Sequence, residues 1–120
     1  MVQGPLLECK FFVPICRDAN LSDGEQHEDR FWEWLVFVLF EKFSGVTIAP
    51  GTTYGFYRDP NTGERVGDES HEFTVAIPEA RLQELRRLLS AAWVVFQQKC
   101  IYLSIAGKVE FIEAPRHDSS

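Results

Sequence analysis

The residues best suited to chemistry in this 120-residue chain lie around one histidine, His71. Ser70, His71 and Glu72 are the residue types of a hydrolase triad, but they are consecutive in the sequence. Consecutive residues of a strand point to opposite faces of its sheet, so these three side chains cannot meet at one reacting atom. The sequence therefore argues against a triad.

His71 taken alone is a candidate general base, because the pKa of histidine lies close to neutral pH. Glu69 shares its strand face two residues away and is the partner expected for the imidazole. Tyr54, Tyr57 and Arg58 would orient an anionic or aromatic substrate beside it. For each of these residues we favour a structural interpretation, in which His71 bonds a carbonyl or carboxylate and the aromatic rings pack.

Neither a metal nor a cofactor is predicted. The conceivable zinc ligands are Cys9, Cys16, His27 and His71, and their spacings match no standard ligand pattern. The glycines form no phosphate-binding fingerprint.

The elements that must position these residues follow from hydrophobic periodicity, which predicts the order β-α-β-β-α-β and a short C-terminal strand. The first helix is expected to end at a left-handed Gly45, and the second to begin at Pro78. In chain order the predicted elements are Leu6–Pro14, Glu25–Phe43, Val46–Asp59 with a break around Pro50-Gly51, Glu69–Ile77, Pro78–Gln98, Cys100–Ile105 and Val109–Ile112.

This order is that of the ferredoxin-like α+β fold, an antiparallel sheet with two helices on one face. We expect a single domain over residues 1–114 and a disordered tail over 115–120. The face of the sheet away from the helices carries Phe12 and Tyr102 among polar residues. It could be solvated, the floor of a ligand site or a dimer contact.

The predicted first helix is apolar almost all the way round between Phe31 and Phe43. A surface helix normally buries one stripe only, so we expect a second subunit to cover part of this one. Trp34 and Phe37 on the helix are the interface residues predicted there, and Phe12 and Tyr102 are those predicted on the sheet. The chain is therefore expected to be a homodimer, while a protein partner and a small-molecule ligand stay open.

The net charge of −6 argues against nucleic acid and anionic membrane as partners. The N-terminus lacks the basic and apolar regions of a signal peptide, and the apolar run at Phe31 is too short to span a bilayer. Three cysteines form an odd count without a C-x-x-C pair. These features favour a cytoplasmic location.

Short motifs run through most of the chain, from Phe31 to Ile105. They are Phe43-Ser44-Gly45-Val46-Thr47, Gly55-Phe56-Tyr57, Glu69-Ser70 and Phe96-x-Gln98. Together they resemble an uncharacterised family of small bacterial proteins with the pattern F-x-G-[LV]-T, G-x-aromatic, E-x-S and F-x-Q. The resemblance implies a ferredoxin-like fold and no particular activity.

Three functions are compatible with these observations. The leading hypothesis is a non-enzymatic binding or regulatory module acting as a homodimer, because the helix has surplus apolar surface and no reactive constellation is evident. The second is a small cofactor-free enzyme, such as an isomerase or oxygenase, with a pocket between the sheet and the helices. The third is a partner-dependent inhibitor or antitoxin.

Overall fold

Two helices cover one face of a six-stranded antiparallel sheet in the computed structural model, which describes residues 4–19, 22–58 and 62–113. The strands lie in the order β2-β4-β1-β5-β6, and β3 pairs with the first half of β4. The elements are β1 (Leu6–Pro14), α1 (Asp29–Phe43), β2 (Thr47–Ile48), β3 (Thr53–Arg58), β4 (Arg65–Pro78), α2 (Leu82–Val95), β5 (Cys100–Ile105) and β6 (Lys108–Glu113).

Strand β4 is longer than predicted, since it begins at Arg65 rather than at Glu69. Its second half pairs with β1, in register from Ser70 opposite Pro14. Its first half runs past that partner and pairs with β3, so these two strands form an arm that extends the sheet. The predicted break before β3 is confirmed, because β2 ends at Ile48 and β3 starts at Thr53.

The hydrophobic core fills the space between the sheet and the helices. Alternate residues of the strands point into it, among them Phe11 and Phe73, whose rings stack 5.3 Å apart. The helices contribute Leu35 and Leu39 from α1 and Leu85 and Leu89 from α2, all fully buried. Period-2 and helical spacing predicted these inward residues correctly.

Helix α1 begins at Asp29, four residues later than predicted. The preceding segment is extended instead: the Arg17 N–H donates to the carbonyl of Glu25, and the His27 N–H to that of Ile15. Those backbone groups are therefore unavailable to a helix. The left-handed residue at the helix end is Ser44 (φ 64°), and not Gly45 as predicted, because the helix ends at Phe43.

Helix α2 is preceded by a turn of 3₁₀ helix, Glu79–Arg81, and ends at Val95, earlier than the predicted Gln98. Gln97 adopts a left-handed φ of 48°. The Gln97 N–H then donates to the carbonyl of Val94 (3.2 Å) and the Gln98 N–H to that of Trp93 (3.1 Å). This pair of bonds is a Schellman motif, and it turns the chain directly into β5.

The C-terminal strand is confirmed, and β6 pairs with β5 within the chain, with Tyr102 opposite Phe111. The predicted tail at 115–120 and the turn residues 59–61 lie outside the described residues. In the part of the chain that the structure describes, no helix is both long enough and apolar enough to cross a membrane.

Candidate ligand site

A cavity of about 410 Å³ lies on the face of the sheet away from the helices. Its floor is a row of three rings on neighbouring strands: Phe12 on β1, Tyr102 on β5 and Phe111 on β6. The Phe12 and Tyr102 ring centroids are 5.2 Å apart, and those of Tyr102 and Phe111 are 5.8 Å apart. The volume falls within the range of small-molecule sites, and the row of rings suits a flat apolar ligand.

One wall of the cavity is the arm formed by β3 and the first half of β4. Tyr57 on β3 and Asp68 and Ser70 on β4 lie on the open face and line the cavity. Gly67 permits close packing within this arm, because a Cβ there would lie 2.8 Å from the Phe56 ring. The arm thus forms a wall beside the aromatic floor.

One end of the cavity is polar. It is formed by Asp18 from the β1–α1 loop and by Gln98, Lys99 and Cys100, which lead from α2 into β5. The Asp18 N–H donates to the carbonyl of Gln97 (3.0 Å), so the loop is fixed to this connection. Asp68 of the arm lies near enough for the charge of Asp18 to act on it. The cavity therefore combines an apolar floor with one end that carries the carboxylates of Asp18 and Asp68 and the ammonium group of Lys99.

The environment of Asp68 disfavours its ionised form. Burial raises the pKa of its carboxyl above the usual value of 3.8, and the negative charge of Asp18 raises it further. Burial likewise raises the pKa of the Cys100 thiol, with Glu113, Asp68 and Asp18 adding to the shift. A carboxylate disfavoured in this way gains when a cation binds beside it, and a neutral thiol is a poor nucleophile.

The loop that carries Asp18 is closed by an ion pair on its surface. Arg17 binds Asp23 through two bonds, from Nε (2.7 Å) and Nη2 (3.1 Å). These bonds, with the Glu25 N–H, lower the pKa of Asp23 to about 2. The pair is solvent-exposed, so it positions the loop rather than adding much stability.

The same loop is anchored internally by His27, which is 7 % exposed. Its Nε2–H donates to the carbonyl of Pro14 (3.0 Å), and its ring packs edge-on against Trp32 and Phe96. The Nδ1 atom is buried without a hydrogen-bond partner among the described residues. Burial lowers the pKa of His27 below 6.5, with the positive charge of Arg17 acting in the same direction.

We expect acid to weaken the fold through His27. Its pKa is lower in the folded state, so the unfolded chain binds more protons below pH 6.5. The melting temperature should therefore fall as pH drops from about 7.5 to about 5.5, and the fall should be smaller in His27→Gln, which keeps an N–H donor for Pro14. Equal slopes in the two proteins would contradict this role.

The residues predicted around His71 do not line this cavity as a group. Glu69 and His71 project from β4 towards the helix side, where His71 packs edge-on against Trp32 with centroids 4.8 Å apart. Its Nδ1–H donates to the carbonyl of Gly51 (3.3 Å). His71 is therefore a half-buried histidine bonded to a carbonyl, as in the structural interpretation.

The carboxylate of Glu69 is hydrogen-bonded to residues at the start of β3 and just before it. It accepts hydrogen bonds from the hydroxyls of Thr52 and Tyr54, the latter at 3.2 Å. The charge of Glu69 raises the pKa of the Tyr54 hydroxyl. Tyr54 and Tyr57 both border the cavity, whereas Arg58 donates to the carbonyl of Gly63 (2.7 Å) at the far end of the arm.

The predicted interface residues fall into two groups. Phe12 and Tyr102 form the floor of the cavity. Of the alternatives considered for the open face of the sheet, this corresponds to the floor of a ligand site. Trp34 is partly buried against the core of its own chain, while Phe37 is 63 % exposed. Phe40 on the same helix is 57 % exposed, so part of the apolar surface of α1 stays uncovered within the chain, and self-association through Phe37 stays a prediction.

Sequence reasoning missed Asp18, Asp68 and Gln98. Asp68 alternates with Ser70 on the open face, so a strand predicted to start at Arg65 would have placed it on the same face of the sheet as Phe12. No group of three metal-binding side chains occurs among the described residues.

No protein-family model and no curated protein matches the chain. Two solved structures match it along nearly its whole length. The first is described as a phage SAM lyase in complex with S-methyl-5'-thioadenosine: it is 14 % identical, the match covers 98 % of this chain and 97 % of the other, and the TM-score is 0.68. The second, a phage SAM lyase in the apo state, is 13 % identical with the same coverage and a TM-score of 0.66.

The chain has the fold of a phage SAM lyase. The prediction of a non-enzymatic binding or regulatory module is therefore wrong, since the structures that share this fold along its length are those of an enzyme. The homodimer stays a prediction. The alternative enzyme was expected to hold its pocket between the sheet and the helices. That space is filled by the core, and the cavity lies on the other face. The predicted membership of the uncharacterised bacterial family stays a prediction.

Proposed function

We propose that this protein binds S-adenosylmethionine (SAM) in the open-face cavity and cleaves it, releasing S-methyl-5'-thioadenosine. The observation that carries the proposal is the shared fold along 98 % of the chain with a SAM lyase that was seen with this nucleoside. The cavity supports it independently, because its chemistry fits both halves of a sulfonium nucleoside.

The aromatic floor fits the nucleoside half. Adenine stacks on aromatic side chains without needing hydrogen bonds to its edges. A sulfonium group is a cation, and the faces of aromatic rings attract cations. Phe12, Tyr102 and Phe111 offer three such rings in one row. The polar end fits the 3-amino-3-carboxypropyl arm, since the carboxylates of Asp18 and Asp68 favour its positive ammonium.

The identity of the product defines which bond breaks. S-Methyl-5'-thioadenosine keeps the methyl and adenosyl groups of SAM, so the bond that breaks joins sulfur to Cγ of the arm. The bonding pair stays on sulfur, which becomes a neutral thioether. In a lyase no water is added, so the arm closes on its own carboxylate oxygen or loses a proton from Cβ or Cα to a base.

The cavity favours internal closure. In that step the carboxylate oxygen bonds to Cγ as the sulfur leaves, so one negative and one positive charge disappear together. Water stabilises the separated charges of the ground state, and an apolar site that replaces it favours a transition state in which charge is being lost. The protein then holds the arm folded in the cavity, with its ammonium group at the polar end, which supplies orientation. His71, on the helix side, is not needed as a base.

We also propose that the fold is ferredoxin-like. The strand order corresponds to a ferredoxin-like sheet in which β2 and β3 together form one edge and β6 adds another strand. A cytoplasmic location is also proposed, because the three cysteines are free and suit a reducing compartment.

The decisive experiment is incubation of the purified protein with SAM, with S-methyl-5'-thioadenosine measured by chromatography against SAM incubated alone. Tyr102→Ala removes the central ring of the floor and is expected to lower kcat/KM about tenfold, whereas Tyr102→Phe keeps the ring and should stay close to wild type. Val109→Ala, on the exposed edge strand, is the control. Release no faster than in SAM alone would contradict the proposed function, and equal activity of Tyr102→Ala would contradict this site.

A further inference from the structure

Gln98 is a buried polar side chain at the polar end of the cavity. It is 5 % exposed and lines the cavity between the β1–α1 loop and the start of β5. Glutamine is seldom buried this completely in the absence of hydrogen-bond partners. Its partners therefore indicate what the side chain does.

The amide group of Gln98 has one defined orientation. Its Nε2 donates to the carbonyl of Cys16 and to the carbonyl of Phe96, both at 2.8 Å. An amide nitrogen carries two hydrogens, so these bonds use both donors and fix which side of the amide is oxygen.

The remaining polar atom, Oε1, can only accept hydrogen bonds. It has no protein partner in the described ranges, and it is not one of the fully buried unpartnered atoms there. Oε1 is thus an acceptor available to a ligand in the cavity that Gln98 lines.

The position of this acceptor is rigid. Gln98 follows the left-handed Gln97, and its backbone N–H closes the Schellman motif on the carbonyl of Trp93 (3.1 Å). The Gln97 carbonyl in turn receives the N–H of Asp18. Backbone and side chain are both held, so Oε1 costs little conformational entropy when it binds a ligand.

The charges around Oε1 select a positive donor. Asp18 and Asp68 line the same end, where Lys99 provides one positive charge against their two negative ones. The Cys100 thiol between these groups is neutral, since burial raises its pKa. An ammonium group offers three N–H donors and the matching charge, which neither a hydroxyl nor the exocyclic amine of adenine does.

We infer that Gln98 determines specificity for the arm of the substrate: its Oε1 and the Asp68 carboxylate together accept hydrogen bonds from the α-ammonium group. This inference rests on the proposed function and deepens it. It defines the substrate class as adenosyl sulfur compounds with an α-amino group on the arm.

The test compares two ligands that share the adenosine and a neutral thioether sulfur. S-Methyl-5'-thioadenosine lacks the arm, and S-adenosylhomocysteine carries it. Gln98→Met is expected to lower the affinity for S-adenosylhomocysteine, measured by titration calorimetry, by about tenfold to a hundredfold. The affinity for S-methyl-5'-thioadenosine should change by no more than about twofold. Gln83→Met, the same change on the exposed side of α2, should alter neither affinity.

A second measurement does not depend on how the variant folds. In the wild-type protein, the analogue of S-adenosylhomocysteine with hydrogen in place of the ammonium group should bind at least about tenfold more weakly than S-adenosylhomocysteine itself, because it loses its bonds to both Oε1 and Asp68. Two results would overturn the inference while leaving the proposed function intact. One is an equal loss of affinity for both ligands in Gln98→Met, and the other is full affinity of the wild-type protein for the deaminated analogue. Failure of the wild type to bind any of these nucleosides would instead contradict the proposed function, and the inference with it.

Discussion

Replacement of Asp68 by asparagine is expected to lower kcat/KM for SAM about tenfold to a hundredfold, because a charged hydrogen bond to the substrate is lost. The same change should raise the melting temperature of the ligand-free protein. Burial and the nearby charge of Asp18 raise the pKa of Asp68, so its ionised form is disfavoured in the folded state. Asparagine keeps the shape without the charge and removes this unfavourable interaction.

The pH dependence follows with a definite sign. A cationic substrate binds the ionised form of Asp68, so kcat/KM should rise with pH through the raised pKa of Asp68 and then level off. The stability of the ligand-free protein changes in the opposite direction over that range, since ionisation of a group with a raised folded-state pKa destabilises the fold. Asp68→Asn should lose the acidic limb of the rate profile.

The matched control is Asp29→Asn, at the exposed start of α1. It removes the same charge far from the cavity and should leave kcat/KM unchanged, with a slight loss of stability because an acidic residue favours a helix N-terminus. Opposite effects of Asp68→Asn on activity and on stability mark a functional residue. If Asp68→Asn lowered both together, or left kcat/KM unchanged, the assigned role would be wrong.

The sheet and helices were predictable because their signals are local. The alternation of apolar and polar residues predicted which side chains of β1 and β5 point into the core, and the turn residues predicted the break before β3. The errors fell where tertiary contacts override local preference. The segment before Asp29 forms an extended pairing with residues 15–17 instead of a helical turn, and Ser44 replaces Gly45 as the left-handed residue.

The site was harder to predict because it is assembled from distant segments. Phe12 and Tyr102 were correctly placed together on the open face, but nothing in their spacing distinguishes a ligand floor from a dimer contact. The carboxylate of Asp68 reaches the cavity only because β4 extends beyond β1 to pair with β3. The side chain of Gln98 is oriented by a hydrogen bond to the carbonyl of Cys16, which is 82 residues away in the sequence. Such long-range contacts leave no periodic signal.

The largest expected effect on stability comes from Phe96→Ala. Phe96 is fully buried where α2 ends, and it joins the loop, α1 and α2 through its ring contacts. Its centroid lies 4.8 Å from those of both His27 and Trp32, and 6.2 Å from that of Phe31. Truncation of a buried phenylalanine typically costs about 3–5 kcal/mol, a large share of the roughly 5–15 kcal/mol that holds a domain of this size.

We therefore expect urea denaturation of Phe96→Ala to show a loss of about 3–5 kcal/mol in the free energy of unfolding. Val94→Ala, two residues earlier on a side chain that is 55 % exposed, should change it by no more than about 0.5 kcal/mol. The Phe96 carbonyl that receives the Gln98 amide is retained in the variant, so the fraction that folds should still bind S-methyl-5'-thioadenosine. A loss below about 1 kcal/mol would mean that the aromatic cluster around Phe96 can close over the missing ring, and that the β1–α1 loop is held mainly by its backbone bonds.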